Sequence, residues 1–569
     1  MLPAISLLVI PKMLKFYPSL QYYPSLRNIP TPIQSALLTI LLLSSITIYS
    51  QPTNDARAWQ SDLDFLAQAI REGHPDPFAN MDRRAFDQAV ARLHKKIPPL
   101  KRHEIIVEFA RIVAMLRDGH SALGFTWDDK IAFKRLPIRF YLYSDGLFVQ
   151  SATKENEKFL GAKVIRIGKM SVDDALERIR PIIHGDNEMA FKDIVTSRLS
   201  MPEVLQALRI TEDQQEASFE FEMKDAGRIT TTVKAIPAGV SVQLIPARTR
   251  STNPLPLYLK NPQANYWFEY LEGPRIVYVK FNAVQNSDEE SISAFFARVF
   301  KFVDANPVDK FILDMRHNNG GDNTLIKPII HGIIKSDKIN QRGKLFTVIG
   351  RLTFSAAQNT VNELEKHTNT LFVGEPTEGR PNHFGDAVNY VLPNSKIIAR
   401  ISQLRWQDQH PTDNRPWVAP QIAAELSSDD YLTNRDPVFE AILRYSEVES
   451  ITNKLLEILN AKAPDHYGAM NAYVRSFQAR PEHKFYDTEK ELTDLGSELQ
   501  DMKRANEAID VLKLNAELHP TSSNAYRNLA EIYEQNGHPD QASENYLKSN
   551  ELEKRPNLKF WLRQKIRKK

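Results

Sequence analysis

Short apolar runs alternate with longer helical patterns between residues 276 and 374. The runs Ile276–Phe281, Phe311–Leu313 and Leu345–Ile349 have the β-branched and aromatic content of buried strands. A helical pattern, residues 287–303, separates the first two runs, and further helical patterns follow the second and third. This alternation predicts a largely parallel sheet covered by helices, with functional loops at the strand ends.

Two of these predicted strands end in residues that suit acyl-transfer chemistry. The strand Phe311–Leu313 leads into Asp-Met-Arg-His-Asn-Asn-Gly-Gly, which ends at Gly320 and Gly321. The strand Leu345–Ile349 leads to Ser355 at a strand-to-helix turn. Unpaired glycine amides, together with the amide of Ala356 after the serine, are the parts of an oxyanion hole. Ser355 is therefore a candidate nucleophile, although serine and glycine are also common as helix caps at such turns.

Three ordered motifs resemble one known family. They are D-x-R-x-N-x-G-G (residues 314–321), T-x-S-A-A (residues 353–357) and G-E-P-T-E-G (residues 374–379). Together they resemble the C-terminal processing (tail-specific) peptidases and the tricorn protease core. The resemblance implies a crotonase-like core in which Ser355 is the nucleophile and Gly320, Gly321 and Ala356 hold the oxyanion.

The residue that activates the serine differs between branches of this family. One branch keeps a lysine directly after the third motif, where this chain has Arg380, and a guanidinium cannot act as a base near neutral pH. The segment Asp118-Gly119-His120 resembles the one that supplies a histidine base in the tricorn-like branch. We therefore expect His120 to be the general base, with an acidic limb in the rate profile at about pH 6 to 7.

A histidine base needs an acceptor for its other ring nitrogen. The resemblance places the carboxylate shortly before residues 418–421, which points to Asp413, although it is shorter than the glutamate expected there and Asp408 is also close.

The N-terminus carries an export pattern. Residues 36–49 are apolar and uncharged, follow Lys12, Lys15 and Arg27, and precede a polar stretch. The run is short for a membrane span, which needs about 20 residues, so residues 1–50 are predicted to be a signal peptide or, alternatively, an uncleaved anchor. We expect an exported protein, in the periplasm, cell envelope or secreted.

Further domains are predicted on either side of the core, residues 265–447. Residues 55–125 show helical periodicity and indicate a helical cap. Residues 135–245 contain short alternating strands; they resemble part of a PDZ-like domain, and a β-rich module without a ligand is an equal alternative. Proline-rich residues 246–262 are interpreted as a linker.

The C-terminal part repeats itself at an offset of 34 residues. Leu495, Ala508 and Leu512 correspond to Leu529, Ala542 and Tyr546, which is the tetratricopeptide period. Residues 486–555 are therefore predicted to form all-α repeats, completed by a basic helix over residues 559–566 or by docking on another domain. Such repeats ordinarily bind a protein partner, and structural support for the core is the alternative.

These observations favour a multidomain α/β serine endopeptidase that acts on peptide or protein substrates. The formal charge of +3 gives no reason to expect nucleic-acid binding, and the absence of cysteine excludes thiolate chemistry. We expect no metal or other cofactor, and membrane contact only if the N-terminal run is uncleaved. The alternative is a catalytically silent protein of the same fold that binds a ligand or a protein.

Overall fold

The computed structural model describes residues 55–224, 227–445, 450–461, 464–553 and 556–567, so the predicted signal peptide lies outside the described residues. The strands are β1 (Ala122–Leu123), β2 (Ile138–Tyr143), β3 (Gly146–Ala152), β4 (Lys163–Ile167), β5 (Met170–Ser171), β6 (Glu216–Met223), β7 (Gly227–Lys234), β8 (Ile245–Pro246), β9 (Tyr266–Leu271), β10 (Ile276–Phe281), β11 (Lys310–Asp314), β12 (Leu345–Ile349), β13 (Leu371–Gly374), β14 (Asn382–Gly385), β15 (Val388–Val391), β16 (Ile398–Ile401), β17 (Leu404–Gln407) and β18 (Ile422–Ala423).

The helices alternate with these strands and then continue alone to the C-terminus. They are α1 (Ala56–Gly73), α2 (Arg83–Lys96), α3 (Arg102–Ala114), α4 (Val172–Ile179), α5 (Glu188–Leu199), α6 (Pro202–Ala207), α7 (Ile292–Ala305), α8 (Lys327–Ile334), α9 (Ala356–His367), α10 (Ser428–Leu432), α11 (Pro437–Arg444), α12 (Ile451–Asn460), α13 (His466–Gln478), α14 (Thr488–Asp501), α15 (Ala505–Leu518), α16 (Ser523–Gln535), α17 (Pro539–Leu552) and α18 (Pro556–Arg567).

A six-stranded sheet carries the centre of the chain, in the order β18-β13-β12-β11-β10-β9. In this sheet the pairs β10–β11, β11–β12, β12–β13 and β13–β18 are parallel, and β9 runs antiparallel to β10. Every residue of β10 and β12 is buried, which explains their continuous apolar sequences. One face packs on α7, α8 and α9, and the other packs on α11. The predicted α/β alternation is therefore present.

Two helices of this core begin later than the sequence pattern indicated. Helix α7 begins after Ser291, whose hydroxyl accepts a hydrogen bond from the Ala294 amide and caps the helix. The helical pattern predicted after the second apolar run starts as a short turn over Asn323–Leu325, and α8 follows with a proline in its first turn.

Helices α1 to α3 and the β-rich region share one hydrophobic core. The sheet has the order β2-β3-β4-β6-β7, with β5 on β4 and β8 on β3. Buried residues of the helices and of this sheet belong to one cluster, which also includes Ala399 and Ile401 of β16. Strand β1 pairs with β16 and joins this region to the core. The residues predicted to form two separate domains thus pack as one body.

The proline-rich segment also packs against its neighbours. It contains short turns at residues 247–250 and 257–259, and Ala247 and Tyr258 are buried. The Arg316 guanidinium lies 4.6 Å from the centre of the Tyr258 ring. The interpretation of this segment as a linker therefore needs correction, because it is held by packing.

The C-terminal helices α14 to α17 pack in sequence, with short connections. Leu495 and Leu529, which the 34-residue offset relates, are both buried. Lys503 and Gly537, at equivalent turns, both have positive φ angles of 61° and 78°. Leu562 of α18 is buried against Ala530, Ala542 and Tyr546. None of the helices in the described parts of the chain combines the length and apolar character needed to cross a membrane.

Candidate active site

Ser355 lies at the sharp turn between β12 and α9. Its backbone has φ 55° and ψ −128°, a strained conformation for a residue with a side chain. It occupies the N-cap position of α9, yet its side chain makes no capping hydrogen bond. The hydroxyl is therefore presented at the start of a helix instead of being used to hold that helix together.

Gly320 lies directly against this turn and explains why the chain needs glycine there. Its φ is +98°, and a Cβ at this position would lie 2.6 Å from the Ser355 Cβ and 2.7 Å from the Ala356 nitrogen. Gly321 is as constrained, because a Cβ there would lie 2.2 Å from the Val284 carbonyl oxygen. The glycine pair lets one loop touch the serine turn with bare backbone.

The three backbone amides expected to hold an oxyanion differ in whether they already donate a hydrogen bond. The Gly320 amide donates to the Asn318 Oδ1 at 2.9 Å and is already occupied. The bridge to Val284 uses the Gly320 carbonyl and the Asp322 amide, which leaves the Gly321 amide outside that pairing. The Ala356 amide, in the first turn of α9, makes no backbone hydrogen bond with the described residues. Gly321 and Ala356 therefore remain as available donors.

A buried network of charged side chains holds the glycine loop, which is the loop that carries Gly320 and Gly321. Asp314, at the end of β11, lies 3.1 Å from the Lys280 Nζ and 2.9 Å from the Arg316 Nη2. Arg316 also lies 2.9 Å from Asp436, which caps α11. Burial opposes ionisation of Asp314, but the two cations and the Tyr278 hydroxyl outweigh it and lower its pKa. The charged residues of the first motif thus hold the loop and do not face the serine.

His120 comes from a loop between α3 and β1 that a second buried carboxylate organises. Asp118 accepts the His120 amide at 2.9 Å, and its other oxygen accepts the hydroxyls of Ser121 at 2.5 Å and Ser402 at 2.6 Å. The His74 Nε2 lies 3.4 Å from the same oxygen. Burial opposes ionisation, but these contacts outweigh it and lower the pKa of Asp118.

The structure brings His120 and Ser355 together. The His120 Nε2 lies 3.0 Å from the Ser355 Oγ, within hydrogen-bond distance. The imidazole stacks with Phe354, with ring centres 4.2 Å apart, and with His383, with ring centres 5.7 Å apart. Burial is the largest influence on this imidazole and lowers the pKa of His120, so the ring is neutral near neutral pH and can accept a proton.

The second nitrogen of this imidazole lacks an acceptor of normal geometry. The His120 Nδ1 is buried and makes no hydrogen bond to any described residue. The Phe384 backbone is close enough to raise the pKa of the ring, as do the charges of Asp118 and Asp386. The Phe384 backbone is therefore the candidate hydrogen-bond acceptor for the His120 Nδ1.

Asp413, expected to orient His120, is engaged elsewhere. Both of its carboxylate oxygens accept from Arg415, at 2.8 to 3.1 Å, and Arg415 also pairs with Glu365 at 2.7 Å. The alternative, Asp408, accepts from the Asn362 amide at 3.4 Å. Neither carboxylate contacts His120, because the loop that carries them turns towards α9. The expectation that Asp413 orients the histidine therefore needs correction.

Arg380, which replaces the lysine of the other branch, also faces away from the serine. Its guanidinium donates to the Asp186 backbone carbonyl at 2.9 and 3.2 Å. The Asp186 carboxylate accepts the Gly119 amide at 3.0 Å, next to His120. Burial raises the pKa of Asp186 to about 7. Arg380 thus supports the histidine loop through Asp186.

Several site residues were missed by the sequence analysis. Asn318 was part of the first motif, and its position two residues before Gly320 is typical of a side chain that holds a loop amide. Asp118 was quoted with His120 but received no role. No local sequence pattern marks His383 and Phe384, because the pairing of β14 with β17 is what places them beside His120.

Comparison with known proteins gives matches among solved structures alone. No protein-family model and no curated protein matches this chain. The structure of mature CPAF complexed with lactacystin has 12% identity and a TM-score of 0.49, and the match covers 68% of this chain and 97% of that one. The photosystem II D1 C-terminal processing protease has 13% identity and a TM-score of 0.32, covering 67% and 96% of the two chains.

The tricorn protease has 15% identity and a TM-score of 0.33, and the match covers 68% of this chain and 36% of that one. A C-terminal processing protease and the tricorn protease, the two kinds of enzyme that the sequence motifs resemble, are thus among the solved structures to which this chain is similar.

Proposed function

We propose that this chain is a serine endopeptidase that hydrolyses peptide bonds of protein or peptide substrates. One observation carries the proposal: a strained serine at a strand-to-helix turn, without a capping bond, lies 3.0 Å from a buried neutral imidazole. Strain at such a position is common where a side chain must be presented for reaction. A serine that served only as a cap would bond its own helix.

In this mechanism His120 takes the proton from the Ser355 hydroxyl while the oxygen attacks the carbonyl carbon of the substrate. The proton moves to Nε2 and is later given to the leaving amine, and water then repeats the sequence to release the acyl group. The negative charge on the substrate oxygen is stabilised by the Gly321 and Ala356 amides, which have no competing backbone acceptor among the described residues.

The protonated imidazole needs support on its Nδ1 side. We assign that support to the Phe384 backbone together with the nearby charge of Asp118, in place of Asp413. A backbone carbonyl fixes the tautomer with Nδ1 protonated and Nε2 free to accept, which is the form required here. Asp118 acts through the loop and does not touch the reacting atoms.

A second candidate function follows from the same nitrogen. Since the His120 Nδ1 has no hydrogen-bond partner of normal geometry in the described structure, a catalytically silent protein that binds ligands or proteins is the alternative. The apolar run of residues 36–49 supports an exported location for either function.

Hydrolysis of an unfolded protein, such as casein, tests the proposal. We expect Ser355→Ala and His120→Ala each to lower kcat/KM about a thousandfold or more, because the two residues act as one unit. A fluorophosphonate probe should label the native chain and not the Ser355→Ala variant. Full hydrolysis by both variants would exclude the mechanism, and binding without hydrolysis or labelling would favour the silent alternative.

A further inference from the structure

A large cavity lies between the peptidase core and the C-terminal helices. Its volume is about 1260 Å³. On the core side it is lined by residues of β14 and of the loop around Trp417, and on the other side by α14, α16 and Trp561. The two sides are in contact beside it, since Asn524 donates to Asn414 and Arg527 donates to the Thr412 hydroxyl.

The cavity reaches the back of the catalytic histidine. His383 and Phe384 of β14 line it, and both contact His120, His383 by ring stacking and Phe384 through its backbone. Asp186, which holds the Gly119 amide, also lines it. Neither Ser355 nor His120 borders the cavity, so an occupant would lie one layer from the reaction and would extend past β14 to reach it.

The lining suits a polypeptide better than a small molecule. Ser497, Asn524 and Asn528 on the C-terminal helices make hydrogen bonds within the protein and, because each has more than one donor or acceptor site, can also bond to a peptide backbone. Trp417 and Trp561 add aromatic surface for side chains. Pockets for drug-sized ligands measure about 300–1,000 Å³, so this space is larger than such a ligand needs.

We propose that the C-terminal helices form one wall of a substrate-binding cleft, and that its occupant is an extended segment of the polypeptide being cleaved. This inference rests on the proposed peptidase function and adds to it the class of substrate: unfolded chains long enough to fill the cleft and reach Ser355. Binding of remote parts of a substrate can then lower the barrier at the bond that is cut.

Two neighbouring residues of α14 provide a matched test. Ser497 lines the cavity and Glu498 does not, and both side chains are exposed on the same helix. We expect Ser497→Trp to narrow the cleft and to lower the ratio of kcat/KM for unfolded casein to kcat/KM for a tetrapeptide about tenfold. Glu498→Trp should leave this ratio at the native value, and thermal unfolding should show that both variants are folded.

The outcomes separate this inference from the function on which it rests. If the native chain cleaves neither substrate, the proposed function fails. If it cleaves both but Ser497→Trp leaves the ratio unchanged, the cleft does not hold the substrate and this inference is overturned. In a Ser355→Ala background, a photoreactive residue at position 497 should crosslink labelled casein, and one at position 498 should not; equal crosslinking at both would also overturn it.

Discussion

At the scale of single residues, the environment of His120 decides how the site responds to pH. The imidazole stacks with Phe354 and His383, and burial lowers its pKa. A lowered pKa means that the neutral ring, which is the form that accepts the serine proton, persists to more acidic pH. This replaces the expectation from the sequence, which assumed an unperturbed histidine.

We therefore predict that the acidic limb of kcat/KM lies below about pH 6.5, the ordinary value for histidine. The charge of Arg400 lowers the pKa of His120 and that of Asp386 raises it. Arg400→Gln should accordingly move the limb to higher pH, and Asp386→Asn should move it to lower pH. Rate profiles of the native chain and the two variants measure this, and a limb above 6.5 in the native chain would contradict the burial argument.

At the scale of elements, the contact between the glycine loop and the serine turn is the most demanding feature of the site. Gly320 approaches Ser355 and Ala356 so closely that a methyl group has no space, and its φ is positive as well. A substitution there displaces the turn that sets the direction of the serine hydroxyl.

We predict that Gly320→Ala lowers kcat/KM by about a hundredfold or more, since a displacement of about 1 Å in a site can have that effect. Gly239 is a matched control, because its φ is +77° and nothing lies within 4 Å of a Cβ added there. Gly239→Ala imposes backbone strain without a clash and should leave activity near the native value. Steady-state kinetics on casein distinguish the two, and equal activities would exclude the close contact.

Much of this element structure was accessible from the sequence. The alternation of apolar runs predicted the parallel strands β10, β11 and β12, because strands buried on both faces are apolar throughout. Ser355 and the glycine pair were found because strand ends and glycines carry local signals. The position of Asp413 was not accessible, because its pairing with Arg415 and Glu365 depends on how a loop meets α9. The role of His383 could not be predicted either, because strand pairing and not local sequence brings it to His120.

At the scale of the whole molecule, Arg415 links the core to the C-terminal helices. Its side chain is largely buried, pairs with Glu365 and Asp413, and lies 4.0 Å from Asp487 at the start of α14. Three carboxylates therefore depend on one guanidinium. Removing it leaves partly buried negative charges next to one another at the junction.

We predict that Arg415→Ala lowers the free energy of unfolding by roughly 3 kcal/mol, the usual effect of breaking a buried ion pair. Arg228 is a control with two carboxylate partners in an exposed position, Glu220 at 3.6 Å and Glu222 at 3.4 Å. Arg228→Ala should cost less than about 1 kcal/mol. Urea unfolding followed by tryptophan fluorescence compares the variants, and equal midpoints would show that the junction is not held by Arg415.

The contact between His120 and Ser355 joins residues 235 positions apart in the chain, and the histidine loop is held in turn by Ser402, which is 284 positions beyond Asp118. Such long-range contacts form late, after the intervening segments have collapsed and docked. During synthesis, a chain that has just passed residue 355 already contains His120 and Ser355. It still lacks the segment with Ser402, which bonds Asp118 and so holds the histidine loop. The proposed peptidase activity would then arise only once the core is nearly complete, so the nascent chain and other unfolded chains near it would not be cleaved during synthesis.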